Sequence, residues 1–282
     1  MVVLDSKDQL SNKVKALKAK NNKIGFVPTM GALHLGHLSL VETAFNKTDV
    51  VVVSIFVNPT QFDNTEDLKK YPRTLDKDVA LLETLSKNII VYAPSIQDIY
   101  SNNVISESFS FDGLEHQMEG KFRDGHFNGV GTIVKNLLEI VTPDYAFFGE
   151  KDFQQLQIIK KLVEKNHIPV KIIGCKIHRE TNGLAMSSRN TRLTEAHKNE
   201  APFIYKTLKE AKRKFGIESA GKVTKWVTKE FAKNNLLDLE YFIIADTKTL
   251  KTVKRKHNKN TYRAFIAVYA GKIRLIDNIA LN

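Results

Sequence analysis

Two histidines three residues apart are the side chains whose spacing first indicates chemistry. They lie in the segment Pro28-Thr-Met-Gly-Ala-Leu-His34-Leu-Gly36-His37, which follows a short apolar run and opens a stretch of helical periodicity. Residues three apart at the start of a helix share one face, and the first helical turn offers unpaired N–H groups and a partial positive charge. Backbone donors and two imidazoles that face one point predict a site for a polyphosphate anion.

Neutral amides follow the next strand along the chain. Asn58 and Gln61 come directly after a nearly continuous β-branched run at residues 50–57, which is typical of a central parallel strand. Amide groups bind hydroxyls and a carboxylate without adding charge. These two side chains can therefore contact hydroxyls or a carboxylate of a ligand, or cap the strand or a helix.

Two further segments combine cations with hydroxyls or with a turn. Gly149-Glu150-Lys151-Asp152 lies where a strand gives way to a helix, so that Lys151 would bring a cation to phosphates. Asp152 suits either a ligand contact or the cap of the following helix. Met186-Ser187-Ser188-Arg189 places two hydroxyls beside a guanidinium.

The elements that must position these residues alternate between strand and helix through the first two-thirds of the chain. Strands are expected at residues 23–27, 50–57, 89–92, 145–148 and 170–173, with helices between them. This alternation predicts an α/β fold, a Rossmann-like parallel sheet with helices on both faces. Such sheets bind ligands beyond the carboxyl ends of their strands, where the polar segments fall.

After Arg189 the pattern changes to two basic helices and to strands at residues 239–245 and 262–269. We expect a Rossmann-like domain at residues 1–185 and a smaller basic C-terminal α+β domain at residues 186–282. The polar stretch 115–128 and the C-terminal domain are alternative lids over the site.

The net charge of +12 resides wholly in residues 189–282, which hold 21 Lys and Arg against 9 Asp and Glu. A basic region of this kind suits either nucleic acid or a field that attracts small anions. Its lysines fall at helical spacing between apolar residues, which favours a solvated helix face, and no nucleic-acid partner is expected.

The composition indicates the cellular compartment in which the protein is expected. No apolar run approaches the roughly 20 residues that span a bilayer, and residues 1–20 lack a signal-peptide pattern. The single cysteine, Cys175, rules out an intrachain disulfide and is expected to be a buried small hydrophobe. A reducing cytoplasm and no membrane partner are the expectation.

His34-Leu-Gly-His37 resembles the HxGH signature of the nucleotidylyltransferase and class I aminoacyl-tRNA synthetase superfamily, and Met186-Ser-Ser-Arg189 is similar to that superfamily's late phosphate-binding loop. Three other segments narrow the resemblance to the pantothenate synthetase (pantoate–β-alanine ligase) family. They are Phe56-Val-Asn58-Pro-Thr-Gln61-Phe62, Tyr71-Pro-Arg73-Thr and Phe148-Gly-Glu150-Lys151-Asp152-Phe-Gln-Gln155-Leu. The likeness runs from about residue 25 to residue 193 and continues weakly beyond.

The resemblance implies an ATP-dependent condensation of pantoate with β-alanine through a pantoyl-adenylate, with AMP and pyrophosphate released. The domain at residues 1–185 would then bind ATP and pantoate. The resemblance also implies catalytic roles for His34, His37 and Lys151, and pantoate or β-alanine contacts for Asn58, Gln61 and Gln155. The ATP contacts it implies are at Met30, Gly31, Ala32, Leu33, His34, Leu35, Gly36, His37, Gly149, Glu150, Lys151, Asp152, His178, Met186, Ser187, Ser188 and Arg189.

The family's reaction requires Mg²⁺ on ATP, and Asp76 and Asp78 are the candidate ligands, although acids at a helix start usually serve the helix dipole. His178 stands where the family usually has a small apolar residue, which would alter the adenine pocket if that side chain faces it. The family precedent also implies a homodimer.

Two other functions share part of this pattern. A plain nucleotidylyltransferase would keep His34, His37 and the late loop, but would need additional cations for its acceptor rather than the amides. A nucleic-acid binder that has lost catalysis would account for the basic C-terminal third, but not for the matched catalytic positions.

Overall fold

The computed structural model describes residues 1–62, 65–101 and 103–282. Within these ranges, six strands form one parallel sheet in the order β1-β4-β3-β2-β5-β6. The strands are β1 Val2–Leu4, β2 Ile24–Thr29, β3 Val50–Ile55, β4 Ile89–Tyr92, β5 Tyr145–Gly149 and β6 Lys171–Cys175. The expected α/β fold with a parallel sheet is confirmed.

Strand order reverses direction at β2, which pairs with β3 on one side and with β5 on the other. Thr29, the last residue of β2, lies opposite Ile55, the last residue of β3. The carboxyl ends of these neighbouring strands therefore meet at one edge. This is the switch point at which open parallel sheets bind their ligands.

Helices connect the strands and supply the apolar faces that cover the sheet. Leu10 and Val14, one helical turn apart, are both buried, as their spacing predicts. The helices of this part are α1 Lys7–Lys18, α2 Leu35–Phe45, α3 Thr65–Lys70, α4 Leu75–Glu83, α5 Ile96–Tyr100, α6 Met118–Phe122, α7 His126–Val141 and α8 Phe153–Lys165.

The polar stretch 115–128 is more ordered than its composition indicates. It contains part of a 3₁₀ turn at Leu114–His116, the short helix α6 and the start of α7. Met118 and Phe127 are buried, which explains why a polar and glycine-punctuated sequence still folds locally. Cys175 is buried as expected, and burial raises the pKa of its thiol.

The C-terminal part contains an antiparallel sheet in the order β7-β8-β9. Apolar faces of two helices contribute to its core, including Leu208, Phe215, Val223 and Val227, whereas Lys206, Lys222 and other lysines of these helices are exposed. The elements are α9 Glu195–Glu200, α10 Phe203–Ile217, α11 Ala220–Phe231, β7 Leu237–Asp246, β8 Tyr262–Ala270 and β9 Ile273–Ala280.

The chain forms two compact units. The first unit comprises Met1–Glu150 and Gln155–Lys176, and the second comprises Lys151–Gln154 and Ile177–Asn282. The expected boundary between residues 185 and 186 differs from this division. Residues 177–185 belong to the second unit because Arg179 forms a β-bridge with Ala185 and an ion pair with Asp277.

Candidate active site

The loop that follows β2 has a backbone shape that few residue types adopt. Gly31 has φ of 77° and Ala32 has φ of 49°. A Cβ atom on Gly31 would lie 3.0 Å from an Asp78 carboxylate oxygen and 3.1 Å from Ile55 Cγ2. The glycine is therefore required both by the left-handed conformation and by the close approach of its neighbours.

Asp78 fixes this loop from α4. Its carboxylate accepts hydrogen bonds from the Ala32 N–H at 3.0 Å, the Leu33 N–H at 2.7 Å and the Thr74 hydroxyl at 3.3 Å. The side chain is 2% exposed. Burial raises the pKa of the Asp78 carboxyl above its ordinary value, and the three hydrogen bonds oppose that change.

His34 and His37 lie at the start of α2, as their spacing predicts. His34 is the N-cap, and its Nδ1 accepts a hydrogen bond from the Gly36 N–H at 3.1 Å. The Nδ1 of His37 accepts from the His34 N–H at 3.3 Å. The two half-buried rings have their centroids 4.1 Å apart and are tilted by 41°.

These hydrogen bonds determine which nitrogen carries the proton of each neutral ring. A ring nitrogen that accepts an N–H donor carries no proton itself, so the proton of His34 and that of His37 lie on Nε2. Both imidazoles are therefore oriented as Nε2–H donors. Beside a helix N-terminus, such donors suit the oxygens of a phosphate.

Asn58, at the end of β3, is buried within the protein and is 1% exposed. Its Nδ2 donates to Gln61 Oε1 at 3.1 Å and to the Gly129 carbonyl at 3.2 Å. Its Oδ1 accepts from the Tyr100 hydroxyl at 2.5 Å and from Thr60 at 3.2 Å. These contacts occupy both ends of the amide, so Asn58 supports Gln61 rather than presenting its own amide to a ligand.

Gln61 is the amide of this pair that is half-buried rather than buried. Its Nε2 lies 3.1 Å from the sulfur of Met30, which connects the β3 edge to the loop after β2. Its backbone carbonyl accepts from His126 Nδ1 at 2.8 Å and from the Arg123 guanidinium at 3.3 Å. Gln61 is thus held at its backbone and at its side chain.

Gly149 ends β5, and Glu150 to Asp152 form a 3₁₀ turn before α8. The Lys151 ammonium lies 3.6 Å from a carboxylate oxygen of Asp152, and the Lys151 side chain is 20% exposed. The Lys151 carbonyl accepts a hydrogen bond from Asn278 Nδ2 at 2.8 Å. Asp152 thus forms an ion pair with the lysine. Gln155 lies half-buried in the first turns of α8.

The late loop is the second arm of a short hairpin in the second unit. The Met186 N–H donates to the His178 carbonyl at 3.1 Å. Ser187 caps a 3₁₀ turn, its hydroxyl accepting from the Arg189 N–H at 3.2 Å. Ser187, Ser188 and Arg189 are half-buried, and the side chain of His178 is exposed. His178 thus contributes its backbone to this hairpin and directs its ring to the surface.

The expected site residues divide between the two units. The first unit contains Met30, Gly31, Ala32, Leu33, His34, Leu35, Gly36, His37, Asn58, Gln61, Asp76, Asp78, Gly149, Glu150 and Gln155. The second contains Lys151, Asp152, His178, Met186, Ser187, Ser188 and Arg189. Within the first unit, the contact between Gln61 and Met30 joins the amide cluster to the histidine loop.

Asp76 and Asp78 do not form a pair of ligands for one ion. Asp76 is exposed, and residues two apart on a helix face different directions. The Asp78 oxygens already accept three hydrogen bonds. Elsewhere in residues 1–62, 65–101 and 103–282, no three His, Cys, Asp or Glu side chains come together as a metal site.

Several supporting residues escape detection from the sequence. His126 and Arg123 hold the Gln61 carbonyl from 65 and 62 positions away, and Asn278 holds Lys151 from 127 positions away. No local pattern connects such partners. The one available signal was the polar character of residues 115–128, which suggested a loop rather than a support.

The chain is similar to proteins of one enzyme family. The sequence profile of the family described as pantoate-beta-alanine ligase matches residues 2–280. A pantothenate synthetase from Flavobacterium psychrophilum is 58% identical over 282 residues, which cover all of both chains. The crystal structure of pantothenate synthetase from Thermus thermophilus matches with a TM-score of 0.91 at 33% identity, covering 100% of this chain and 99% of that one.

A further solved structure contains ligands. The structure of pantoate-beta-alanine ligase from Francisella tularensis, complexed with beta-gamma ATP and beta-alanine, has a TM-score of 0.82 and 38% identity. It covers 100% of this chain and 98% of that one.

Proposed function

Because this chain belongs to the pantoate–β-alanine ligase family and condenses pantoate with β-alanine using ATP, we propose that the reaction proceeds through a pantoyl-adenylate. The observation that carries the proposal is the pair of Nε2–H donors, His34 and His37, at the start of α2. Donors held in place before the reaction suit a step in which charge develops on phosphate oxygens.

In the first step, a carboxylate oxygen of pantoate attacks the α-phosphorus of ATP. A new O–P bond forms, the bond from the α-phosphorus to the bridging oxygen breaks, and pyrophosphate leaves with that oxygen. His34 and His37 donate to the phosphates, with His37 next to the α-phosphate. The loop from Met30 to Gly36, fixed by Asp78, contributes backbone groups to the nucleotide.

The leaving pyrophosphate needs compensating positive charge. We assign this role to Lys151 and Arg189, with the hydroxyls of Ser187 and Ser188 as additional donors. The cap that Ser187 forms with the Arg189 N–H sets the backbone of this loop. The proposed ATP contacts are completed by backbone groups of His178, Met186 and residues 149–152.

Pantoate is assigned to Gln61 and Gln155, whose neutral amides match a hydroxy acid. Asn58 acts through Gln61, because its Nδ2 donates a hydrogen bond to the Gln61 side chain. In the second step the amine of β-alanine attacks the acyl carbon. The C–N bond forms, the C–O bond to AMP breaks, and the amine loses a proton.

We also propose that ATP binds together with Mg²⁺. Asp76, with its exposed carboxylate, is the member of the expected acidic pair that remains available to it. When bound, the ion neutralises phosphate charge. Asp78, the other expected ligand, instead holds the loop after β2 through its hydrogen bonds to Ala32 and Leu33.

Isotope transfer tests the adenylate. Pantoate labelled with ¹⁸O in its carboxylate is incubated with ATP, Mg²⁺ and β-alanine. The proposal expects one labelled oxygen in AMP, and it expects ATP–pyrophosphate exchange that requires pantoate but not β-alanine. Label in pyrophosphate, or exchange without pantoate, would contradict attack at the α-phosphorus.

Two expectations stay predictions. A homodimer follows from the family resemblance alone and is checked by light scattering. In the part of the chain that the structure describes, no helix has the length and apolar character required to cross a membrane. The cytoplasmic location rests on the sequence and is checked by cell fractionation.

A further inference from the structure

The turn that carries Lys151 is held by residues far along the chain. Lys151–Gln154 follow β5 in sequence, yet they belong to the second unit. The direct link is the hydrogen bond from Asn278 Nδ2 to the Lys151 carbonyl, 2.8 Å long. Asn278 lies on β9 and is 2% exposed.

The amide of Asn278 can point in only one direction. Arg263 donates a guanidinium N–H to Asn278 Oδ1. Because a guanidinium is only a donor, this contact assigns the oxygen to the Arg263 side and the NH₂ group to the Lys151 side. Asn278 pairs with Phe265 across the strands, and Arg263 lies two positions from Phe265 on the same face. The sheet itself therefore sets the direction of the amide.

The same face also holds Phe153, two residues after Lys151. The Arg263 guanidinium carbon lies 4.1 Å from the centroid of the Phe153 ring, and the Phe265 ring centroid lies 5.9 Å from it. The backbone is thus held at the Lys151 carbonyl and again two residues later, at Phe153.

We propose that Asn278 is a positioning residue for Lys151. The proposal rests on the role given to Lys151 under the proposed function. A lysine side chain has four rotatable bonds, so its ammonium reaches a phosphate reliably only when its backbone is fixed. Asn278 fixes that backbone at the carbonyl of the lysine itself.

The test uses Asn278→Asp in the full-length protein. Aspartate retains an oxygen for Arg263 but loses the donor to the Lys151 carbonyl. We expect kcat for pantothenate formation to fall about 10- to 100-fold, as expected for misplacement of a catalytic group by about 1 Å. KM for pantoate should change less than about twofold, since Gln61 and Gln155 belong to the other unit.

Asn282→Asp is the matched control. Asn282 Oδ1 accepts from the Tyr262 N–H at 2.7 Å, and its Nδ2 donates to the Asn260 carbonyl at 3.0 Å. The same substitution there also removes one donor to a backbone carbonyl and keeps the acceptor. It should leave kcat unchanged. Asn278→Ala provides a second, uncharged variant if Asn278→Asp does not fold, as monitored by circular dichroism and thermal unfolding.

A double-mutant cycle separates positioning from general damage. In a Lys151→Ala background, Asn278→Asp should lower kcat by less than about twofold, because the group it positions is gone. An undiminished loss in that background, or full activity of the Asn278 variants in the wild-type background, overturns the inference. Full activity of Lys151→Ala alone would instead overturn the proposed role of Lys151 and the inference with it.

Discussion

At the scale of single residues, the candidate site depends on side chains whose orientation is fixed by hydrogen bonds to neighbouring groups. His34 and His37 each accept an N–H at Nδ1, and the Gln61 side chain is bonded to Asn58 and Met30. Such groups need little reorganisation when charge develops on a ligand. The roles of these residues are therefore best tested by substitutions that preserve one hydrogen bond and remove another.

His37 allows such a comparison. We expect His37→Ala to lower kcat by about 10²–10³, the usual effect of removing one preorganised donor. His37→Gln should retain more activity, because its amide nitrogen extends to the region of Nε2. His37→Asn, which mimics the Nδ1 position, should resemble alanine. Steady-state kinetics with saturating ATP and pantoate measures these effects, and a fully active His37→Ala would remove His37 from the mechanism.

The spacing of the two histidines was sufficient to predict their shared helix turn, but not the state of their rings. The spacing fixes which residues share a face, whereas the choice of Nδ1 as acceptor depends on the backbone angles of the cap. Likewise, Asn58 was expected to contact pantoate. Its burial by Tyr100 and Gly129 depends on residues 42 and 71 positions away, which the local sequence does not reveal.

At the scale of elements, side chains from one helix hold the loop of another. Asp78 of α4 secures the loop that precedes α2, and α7 packs against the turn that carries Gln61. Sequence periodicity predicted the long helices and the central strands, because their apolar residues repeat. It did not predict β1, which has only three residues, or β9, whose buried Asp277 and Asn278 interrupt the apolar pattern.

Asp78→Asn should destabilise the protein and lower kcat. The amide keeps one acceptor oxygen but places an NH₂ group where Ala32 or Leu33 donates, and leaving a buried donor unsatisfied costs about 1–3 kcal/mol. Urea unfolding and kinetics with ATP measure both effects. Asp76→Asn, on the exposed position of the same helix, is the control and should leave stability unchanged within about 0.5 kcal/mol.

A comparison of the wild-type protein with Asp78→Asn also tests the direction of the Asp78 pKa shift. Because burial raises the pKa of Asp78 in the folded state, the folded protein binds the Asp78 proton at higher pH than the unfolded chain does. The contribution of Asp78 to the free energy of unfolding should therefore fall as pH rises from the unfolded pKa, about 3.9, to the folded pKa, and stay constant above it. The Asp78→Asn protein lacks this component. A wild-type minus variant difference that rises with pH in this window would contradict the direction of the shift.

Gly129 tests the packing between α7 and the turn at Pro59–Gln61. A Cβ atom there would lie 2.3 Å from the Thr60 carbonyl oxygen and 2.7 Å from the Gln61 nitrogen. Gly129→Ala should therefore displace the turn, cost about 1–3 kcal/mol of stability, and raise KM for pantoate more than KM for ATP. Gly221→Ala on α11, where a Cβ atom meets no heavy atom within 4 Å, should be neutral. Equal changes in both KM values would argue against a local effect on Gln61.

At the scale of the whole molecule, the positive charge is concentrated in one part of the chain, and the two structural units do not simply follow one another in sequence. The excess positive charge lies in residues 189–282, partly on helices whose lysines are mostly exposed and partly between β7 and β8. The sequence predicted both this imbalance and the solvated helix faces, since each depends only on residue type and spacing. It placed the division of the chain at residue 185, because the cross-strand contacts of Arg179 are not visible in local patterns.

The basic region should attract the anionic substrates over a distance. We expect kcat/KM for ATP to decrease as ionic strength rises from about 0.01 to about 0.15 M, where the Debye length shortens from about 30 to about 8 Å. KM for β-alanine, a zwitterion, should change less. A kcat/KM for ATP that is independent of salt would show that the net charge has no role in substrate capture.

The assignment of Lys151–Gln154 to the second unit has a consequence for how this protein can be divided. The polypeptide passes between the two units after Glu150, after Gln154 and after Lys176. A single cut at residue 176 therefore yields an N-terminal fragment that carries Lys151 without Asn278, Arg263 and Phe265. The N-terminal fragment then contains the whole first unit, whereas the C-terminal fragment lacks one segment of the second unit. Recombining the first unit with an unrelated C-terminal partner would require that partner to bind the segment Lys151–Gln154.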